Sequence, residues 1–402
     1  MRKICLLENE ILDYAWGSKK FIPELLGIPH PFKKPQAEMW MGSHKKAPSK
    51  VVLNDERISL DHLIEKYPKD ILGEKISEKF SGELPFLFKV LSASKPLSIQ
   101  AHPDKTQASL GFGRENRKGI EIDAPKRNYR DGNHKPELIC ALTTMWALKG
   151  FRKPVEILDL INPLHEISDW CGVDILQKQP DENGIKLFFL NLLSLKKSVA
   201  RAIVEDAVKI ISTIKDKNPA YEWIKKLSQE YPGDIGVLSP LYLNVLKLNP
   251  GEAIYLPARE LHAYLSGSGL EIMANSDNVL RGGLTQKYID KTELINVLSF
   301  TPGTPEITKS KKSDSFEAFY SSMAEEFILS VIDLPDDESV YKKDGQKSIE
   351  IILCTEGDAE ILDVRTGERK LLFKGTSMLI PAAVDEYSIK GRSTIYKASV
   401  PL

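Results

Sequence analysis

The stretch Pro250-Gly-Glu-Ala-Ile-Tyr-Leu-Pro-Ala-Arg-Glu-Leu-His-Ala-Tyr-Leu-Ser-Gly267 can be laid without a gap over residues 374–391, near the other end of the chain. Both copies have the order turn, buried strand, proline corner, strand, turn. The identical positions are the turn glycines and the Pro-Ala corner, namely Gly251, Pro257, Ala258 and Gly267 in the first copy and Gly375, Pro381, Ala382 and Gly391 in the second. This order is typical of one edge of a small jelly roll, so the repeat predicts two of them.

The rest of the chain predicts a mainly β protein with one helical insertion. Leu84–Leu91 is an apolar run suited to a buried strand. Residues 150–233 differ, because their apolar residues recur at helical spacing, most clearly over Ser198–Ile214. Strand patterns return with Leu241–Leu248 and Ala253–Leu256, and the Asn-Pro-Gly turn between them suggests a hairpin.

These patterns divide the chain into four predicted segments. They are the first part of a jelly roll (1–149), a helical insertion (150–233), the second part of that jelly roll (234–305) and a second, degenerate jelly roll (306–402). A polar stretch, Lys309–Ser315, is expected to link the last two. His262 in the first copy of the repeat aligns with Glu386 in the second, and no histidine follows His262. A histidine-based metal site is therefore possible only in the first jelly roll.

Composition excludes several classes of function. The 402 residues carry a net charge of -1, which argues against a nucleic-acid binder or a polybasic membrane binder. The four cysteines form no Cys-x-x-Cys pair, so neither a zinc finger nor a redox motif is expected, and their sparseness fits a reducing cytoplasm. The first ten residues do not resemble a signal peptide, and no apolar run approaches the length of a membrane span.

Four polar residues are candidate metal ligands. Gln100 and His102 are two apart in Pro96-Leu-Ser-Ile-Gln-Ala-His-Pro-Asp104, so a strand would point both to one face. Glu137 ends the motif His-Lys-Pro-Glu, and His262 follows the Pro257 corner. Each residue alone is more often structural than a ligand. Together, two imidazoles, a carboxylate and an amide suit zinc, or less selectively manganese or iron.

Cations recur in the same segments of the chain: Lys89, Lys95, Lys105, Lys135, Arg281 and Lys287. In a protein of almost no net charge, such a cluster favours an anionic ligand, for example a phosphorylated sugar. Lys95 and Lys105 are expected to be ordinary surface lysines. Arg281 lies in a polar loop before Gly282-Gly283, where the backbone can approach a ligand closely.

Several motifs, spread over nearly the full length, resemble those of the type I phosphomannose isomerases. They are Tyr14-Ala-Trp-Gly17, Ala37-Glu-Met-Trp-Met-Gly42, Leu84–Leu91, Pro96–Lys105, Asn133-His-Lys-Pro-Glu-Leu138, His262-Ala-Tyr264, Glu271 and residues 275–290. The resemblance implies two cupin-type jelly rolls with a helical domain inserted in the first, which agrees with the organisation inferred above. It also implies an enzyme that interconverts mannose 6-phosphate and fructose 6-phosphate and holds one zinc ion per chain. We expect this enzyme to be a cytoplasmic monomer.

The resemblance assigns roles to individual residues. The implied zinc ligands are Gln100, His102, Glu137 and His262. The implied catalytic residues are Arg281, Lys135, Glu271, His134 and Asp277, and the implied substrate-binding residues are Lys89, Ser98, Lys287 and Trp16. The reaction moves a proton between C2 and C1 through an enediolate, which needs electrostatic stabilisation and a general base. Lys135, in its neutral form, and Glu271 are the two candidate bases, and the sequence does not separate them.

Two other classes of protein stay open at this point. An iron-dependent oxygenase also uses histidines and a carboxylate, although Gln100 and the cation cluster argue against it. A catalytically silent sugar-phosphate sensor could share the fold, but it would have no need of Lys135, Glu271 and Arg281.

Overall fold

The computed structural model describes residues 1–53, 56–164 and 172–402. The strands are β1 (Cys5–Glu8), β2 (Glu10–Leu12), β3 (Glu38–Met41), β4 (Lys50–Leu53), β5 (Glu56–Ser59), β6 (Phe86–Ala93), β7 (Ile99–Ala101), β8 (Glu137–Ala141), β9 (Met145–Phe151), β10 (Leu243–Leu248), β11 (Glu252–Leu256), β12 (His262–Ala274), β13 (Leu280–Gly283), β14 (Thr308–Lys309), β15 (Lys311–Lys312), β16 (Glu317–Tyr320), β17 (Ile328–Leu334), β18 (Val340–Lys343), β19 (Glu350–Asp363), β20 (Arg369–Phe373), β21 (Ser377–Ile380) and β22 (Tyr387–Ser399).

The helices are α1 (Phe21–Leu25), α2 (Leu60–Lys66), α3 (Pro68–Leu72), α4 (Glu74–Lys79), α5 (Lys105–Arg117), α6 (Pro154–Ile161), α7 (Val173–Lys178), α8 (Glu182–Ser194), α9 (Lys197–Thr213), α10 (Pro219–Glu230), α11 (Ser239–Tyr242) and α12 (Lys291–Val297). Within the described ranges, no helix combines the length and the apolarity that a membrane span requires.

The strands form two antiparallel β units that share one pairing scheme. In the first unit β8 lies between β11 and β12, and in the second unit β19 lies between β21 and β22. The other edge of β12 pairs with β6, as that of β22 pairs with β17. The two copies of the sequence repeat supply β11 with β12 and β21 with β22. The predicted fold class, mainly β with two cupin-type jelly rolls and helices inserted in the first, is confirmed.

The inserted helices lie between two strands that pair with each other. β9 and β10 are antiparallel neighbours, and residues 152–242 between them contain α6 to α11. The corresponding strands of the second unit, β19 and β20, are joined by residues 364–368 alone. Helix α9 is held by a buried stripe at helical spacing, formed by Ala200, Ile203, Val204, Ala207 and Ile211.

The predicted hairpin of Leu241–Leu248 with Ala253–Leu256 is wrong. β10 pairs with β9, and β11 pairs with β8 and β14, so the Asn249-Pro-Gly251 turn carries the chain from one partner to another. Turn chemistry fixes where the chain reverses, whereas the partner of each strand depends on pairing across the inserted helices. The expected linker Lys309–Ser315 contains two short strands, of which β14 joins the first unit and β15 the second.

The amino-terminal strands extend the sheet of the second unit. Cys5 of β1 is in register with Leu379 of β21, and β4 continues the sheet on the other side of β1. The segment 1–149 therefore contributes strands to both β units. The four segment boundaries stay predictions.

The register also identifies equivalent positions in the two units. Glu137 of β8 is opposite Leu256, and Glu350 of β19 is opposite Ile380. Leu256 and Ile380 occupy the same position of the repeat, so Glu350 is the counterpart of Glu137. By the same comparison, Glu271 of β12, opposite Ile139, corresponds to Lys397 of β22, opposite Ile352.

Candidate metal centre

Three buried side chains meet where β7, β8 and β12 begin or end. His102 follows β7, Glu137 opens β8 and His262 opens β12, which pairs with both strands. His102 Nε2 lies 3.4 Å from Glu137 Oε1, and His262 Nε2 lies 3.4 Å from Glu137 Oε2. The ligand atoms of the three residues all lie within 4.8 Å of one another. The structure therefore brings together three of the four predicted ligands in one buried cluster.

Local sequence fixes where His102 ends its strand. Pro103 cannot continue the strand ladder because it has no N–H. Asp104 then caps helix α5, since its Oδ1 accepts a hydrogen bond from the N–H of Gln107 at 2.8 Å. The Gln107 side chain in turn accepts a hydrogen bond from the N–H of Asp104, which completes a capping box.

Both imidazoles are oriented by backbone carbonyl groups. His102 Nδ1 lies 2.6 Å from the carbonyl oxygen of Asn278, and His262 Nδ1 lies 3.0 Å from that of Glu260. Because a carbonyl oxygen can only accept, each Nδ1 must donate, which leaves each neutral ring with its Nε2 lone pair facing the cluster. His102 Nε2 is buried, and no described residue forms a hydrogen bond with it. Burial and the charge of Lys135 lower the pKa of His102 to about 4.

Gln100 lies at the edge of the same cluster. It is in register with His262 on β12 and with Arg281 on β13. Its amide donates to Ser98 Oγ at 3.3 Å, and both side chains face a pocket next to the metal cluster. The pocket is lined by Glu38, Lys89, Leu91, Leu97, Ser98, Gln100, Lys135, Glu137, His262, Ala263, Tyr264 and Glu271.

Lys135 faces the cluster from the same segment as Glu137. The residue before a proline is restricted to extended conformations, so Pro136 favours an arrangement in which Lys135 and Glu137 share one face. Lys135 Nζ lies 2.8 Å from Glu137 Oε1. Burial raises the pKa of Glu137, but Lys135 and His102 outweigh it and hold that pKa well below its usual value. Glu137 is therefore ionised and able to bind a cation.

Glu271 belongs to a second buried network on the wall of the pocket. Its Oε2 accepts from Lys89 Nζ at 2.9 Å, and its Oε1 accepts from the Tyr264 hydroxyl at 2.8 Å. Glu38 approaches Lys89 Nζ to 3.8 Å from β3. Tyr264 and Glu38 received no role from the sequence. Tyr264 could have been found, since it follows His262 by two residues on one strand and so shares its face.

Three cations interact with one another next to Gln100, namely Lys287, Arg130 and Arg281, the last of which is in register with Gln100. Burial lowers the pKa of Lys287, and the charges of Arg281 and Arg130 lower it further. Burial and Arg130 likewise lower the pKa of Arg281. Arg130 was not predicted from the sequence. Such a group is ready to accept an anion, because an anion relieves the repulsion among the cations.

Three predicted site residues are held outside the pocket. His134 Nε2 lies 2.6 Å from Glu326 Oε1 of the second unit, on the opposite face from Lys135. The Asp277 carboxylate contacts His44 Nε2 at 3.5 Å and accepts from Lys46 Nζ at 2.7 Å. Trp16 packs behind the pocket against a cluster that contains Leu97 and Tyr264.

The cluster has the donors and the electrostatics of a zinc site. Two imidazoles and an ionised carboxylate are ligands that zinc prefers, and a fourth position towards the pocket could be taken by Gln100, water or substrate. The unpaired His102 Nε2 is buried among them, which is costly unless a partner such as a metal ion binds there. The residues thus fit the metal that the resemblance implies.

Comparison with known proteins agrees with this geometry. The family model described as the catalytic domain of type I phosphomannose isomerase matches residues 4–154. The mannose-6-phosphate isomerase of Escherichia coli K12 is 42% identical over 398 residues, covering 97% of this chain and 97% of the relative. The chain belongs to the type I phosphomannose isomerase family. The human mannose-6-phosphate isomerase is 33% identical over 412 residues, covering 96% of this chain and 94% of the relative.

Solved structures of the family extend the similarity to the whole fold. The zinc-bound form of mannose 6-phosphate isomerase superposes with a TM-score of 0.90 at 40% identity, covering 99% of this chain and 100% of that one. The Salmonella typhimurium mannose 6-phosphate isomerase bound to fructose 6-phosphate and zinc gives the same TM-score, identity and coverage.

Proposed function

We propose that this chain is a zinc-dependent aldose–ketose isomerase that interconverts mannose 6-phosphate and fructose 6-phosphate. The observation that carries the proposal is the buried cluster of His102, Glu137 and His262, with both Nε2 atoms facing the carboxylate and Lys135 beside it. The identity of the substrate is inferred from membership of the isomerase family. We assign zinc binding to these three residues and to Gln100, with one ion per chain.

Zinc, when bound, polarises the carbonyl and hydroxyl oxygens of a sugar without redox chemistry. The residues of the chain bind the substrate and move the proton. We assign the sugar phosphate to Lys287, because an anion bound there would relieve the repulsion between its ammonium group and the charges of Arg281 and Arg130. Lys89 and Ser98 line the pocket for the sugar, and Trp16 supports its wall.

We propose Lys135 rather than Glu271 as the base that carries the proton between C2 and C1. Glu271 Oε2 accepts from Lys89 and Glu271 Oε1 accepts from Tyr264, so both carboxylate oxygens already bind donors within the protein. Lys135 Nζ contacts Glu137 Oε1 at 2.8 Å, and the ammonium group must release its proton before it can act as a base. Arg281 stabilises the negative charge that develops on the enediolate.

His134 and Asp277 were expected in catalysis, and we propose supporting roles for both. His134 and Lys135 are consecutive, so their side chains point to opposite faces of the segment. The contact of His134 with Glu326 therefore fixes the segment that carries Lys135 on its other face. Asp277 holds the loop before Arg281 through His44 and Lys46. Both residues then affect the reaction through neighbours that contact the substrate.

One coupled assay tests the function. The protein is incubated with mannose 6-phosphate, with and without a chelator, and fructose 6-phosphate is measured through a coupling enzyme. We expect turnover that the chelator abolishes and that added zinc restores, with no oxygen consumed. Glu137→Gln, which keeps the shape of the side chain, is the matched inactive control. Turnover that survives complete removal of metal would contradict the proposal, and binding without turnover would favour the sensor.

The remaining expectations concern the state of the protein in the cell. We propose a cytoplasmic monomer that binds neither nucleic acid nor membranes. The near-zero net charge supports the lack of nucleic-acid binding, and buried free thiols at Cys5, Cys140 and Cys354 support a reducing compartment. Light scattering coupled to size-exclusion chromatography checks the mass, and a mass twice that of one chain would contradict the monomer.

A further inference from the structure

We propose that Asn278 is a positioning residue that couples the orientation of the metal ligand His102 to the segment that carries Lys135 and Glu137. The inference rests on the proposed function, since it concerns the zinc site of that isomerase. Asn278 is fully buried in the loop between β12 and β13, where the sequence drew attention to its neighbour Asp277 instead. Its role follows from contacts on two sides.

The first contact fixes a metal ligand. The carbonyl oxygen of Asn278 accepts a hydrogen bond from His102 Nδ1 at 2.6 Å. This bond holds the imidazole in the tautomer that presents Nε2 to Glu137 and fixes the rotation of the ring. Any shift of the Asn278 backbone therefore moves the His102 ring or breaks the bond that orients it.

The second set of contacts uses the whole side-chain amide. Asn278 Oδ1 accepts from the backbone N–H groups of Arg130 and Asp131 at 2.7 and 3.2 Å. Asn278 Nδ2 donates to the carbonyl oxygens of Asp131 and Asn133 at 2.9 and 2.8 Å. The amide thus clamps residues 130–133, directly before Lys135 and Glu137. Arg281 follows Asn278 by three residues, so the same loop also leads to the cation group.

Asparagine is the residue type that this position requires. The amide offers an acceptor on one side and two donors on the other, which matches two N–H groups and two carbonyl groups. An aspartate of the same size would keep the acceptor but lose both donors. It would also bring a second carboxylate against Asp131, whose Oδ1 lies 3.2 Å from Asn278 Nδ2. The isosteric substitution is therefore expected to loosen the clamp without removing volume.

The chain contains a matched control. The Asn9 side chain also bridges two segments, because its Nδ2 donates to Ser377 Oγ at 2.6 Å and its Oδ1 accepts from Ser49 Oγ at 2.9 Å. Ser377 lies in β21 of the second unit, in register with Leu353, and neither hydrogen bond reaches a segment that carries a proposed metal ligand. Asn9→Asp therefore makes the same chemical change in a bridge that does not hold the site.

The test compares Asn278→Asp with Asn9→Asp in zinc affinity, measured by competition with a chromophoric chelator, and in melting temperature. We expect Asn278→Asp to weaken zinc binding by about 10–100-fold, the usual effect of losing a group that supports a metal ligand. Asn9→Asp should leave zinc affinity unchanged, whatever its effect on the melting temperature. Asn278→Ser, which adds no charge and offers one hydroxyl in place of the amide, should give an intermediate loss and serves if the aspartate variant does not fold.

Two outcomes would overturn the inference: zinc affinity within about twofold of wild type in the Asn278 variants, or an equal loss in Asn9→Asp. Kinetics at saturating zinc separate positioning from folding. We expect kcat to fall more than KM rises in Asn278→Asp, because Lys135 moves with the clamped segment. Failure of the proposed function would look different, because wild type would then bind zinc without isomerising the sugar phosphate.

Discussion

Replacing Lys89 with methionine should destabilise the protein by about 3–5 kcal/mol, because breaking a buried ion pair leaves an uncompensated charge. Lys89 Nζ lies 2.9 Å from Glu271 Oε2 and 3.8 Å from Glu38 Oε2, and the Lys89 and Glu271 side chains are 7% and 5% exposed. Burial lowers the pKa of Lys89, but Glu271 and Glu38 outweigh it and raise that pKa. Lys89 is therefore charged, and after the substitution Tyr264 is the one donor left to Glu271 among the described residues.

The loss of charge can be separated from the loss of packing. Methionine fills much of the volume of the lysine stem, so the expected cost comes from the carboxylate and not from a cavity. Adding Glu271→Gln to Lys89→Met should recover part of the loss, because a neutral amide is cheaper to bury than an unpaired carboxylate. Urea unfolding of the zinc-loaded protein, followed by tryptophan fluorescence, measures the change, and Trp40 next to Lys89 reports on this region.

An exposed ion pair of similar length is the control. Lys69 Nζ lies 2.7 Å from Glu74 Oε1, but the two side chains are 63% and 67% exposed. Solvent screens such a pair, so Lys69→Met should leave the urea midpoint unchanged. If Lys89→Met shifts the midpoint no more than Lys69→Met does, the buried network contributes no net stability and the reasoning fails.

Three further predictions concern the site. Glu137→Gln should remove zinc and turnover together, as metal analysis beside the coupled assay would show; retained zinc would refute its role as a ligand. Lys135→Met should keep zinc but stop exchange of the C2 proton with tritiated water, whereas normal exchange in this variant would point to Glu271. Burial raises the pKa of Asp277, but the contacts with His44 and Lys46 outweigh it, so the pKa is lowered. Asp277 therefore stabilises the fold above about pH 4, and this contribution disappears as the carboxylate is protonated at lower pH. The stability difference between wild type and Asp277→Asn, measured in the metal-free protein, should be constant at neutral pH and shrink in acid; a difference that grows in acid would contradict this.

Sequence periodicity predicted the elements that are local and regular. The stripe from Ala200 to Ile211 predicts its helix, because the burial of one helical face depends on neighbours three and four residues away. The partner of β10 could not be obtained in this way, since β9 lies on the other side of the inserted helices. Strand pairing over such distances depends on the whole sheet rather than on the turn beside it.

The metal cluster was predicted more completely than its surroundings. His102, Glu137 and His262 were identified because histidine and carboxylate are chemically distinctive. Glu38 was overlooked because one acidic residue in a short strand resembles a surface position, although β3 is buried throughout. The direction of His134 could have been inferred, since neighbours in an extended segment point to opposite faces. The contacts of Asn278 could not, because they join segments that are distant in sequence.

Glu350, the counterpart of Glu137 in the second β unit, is also paired with a lysine. Glu350 Oε1 lies 3.3 Å from Lys397 Nζ, which also contacts Glu317 Oε1 at 2.7 Å. Burial lowers the pKa of Lys397, but Glu350 outweighs it and the pKa is raised, so the ammonium group is permanently charged. The two carboxylates thus share a lysine partner, and the first unit adds two imidazoles that can bind a further cation from solution. Metal starvation or a chelator can remove that cation from the first unit, whereas the charges that surround Glu350 belong to the chain and stay in place.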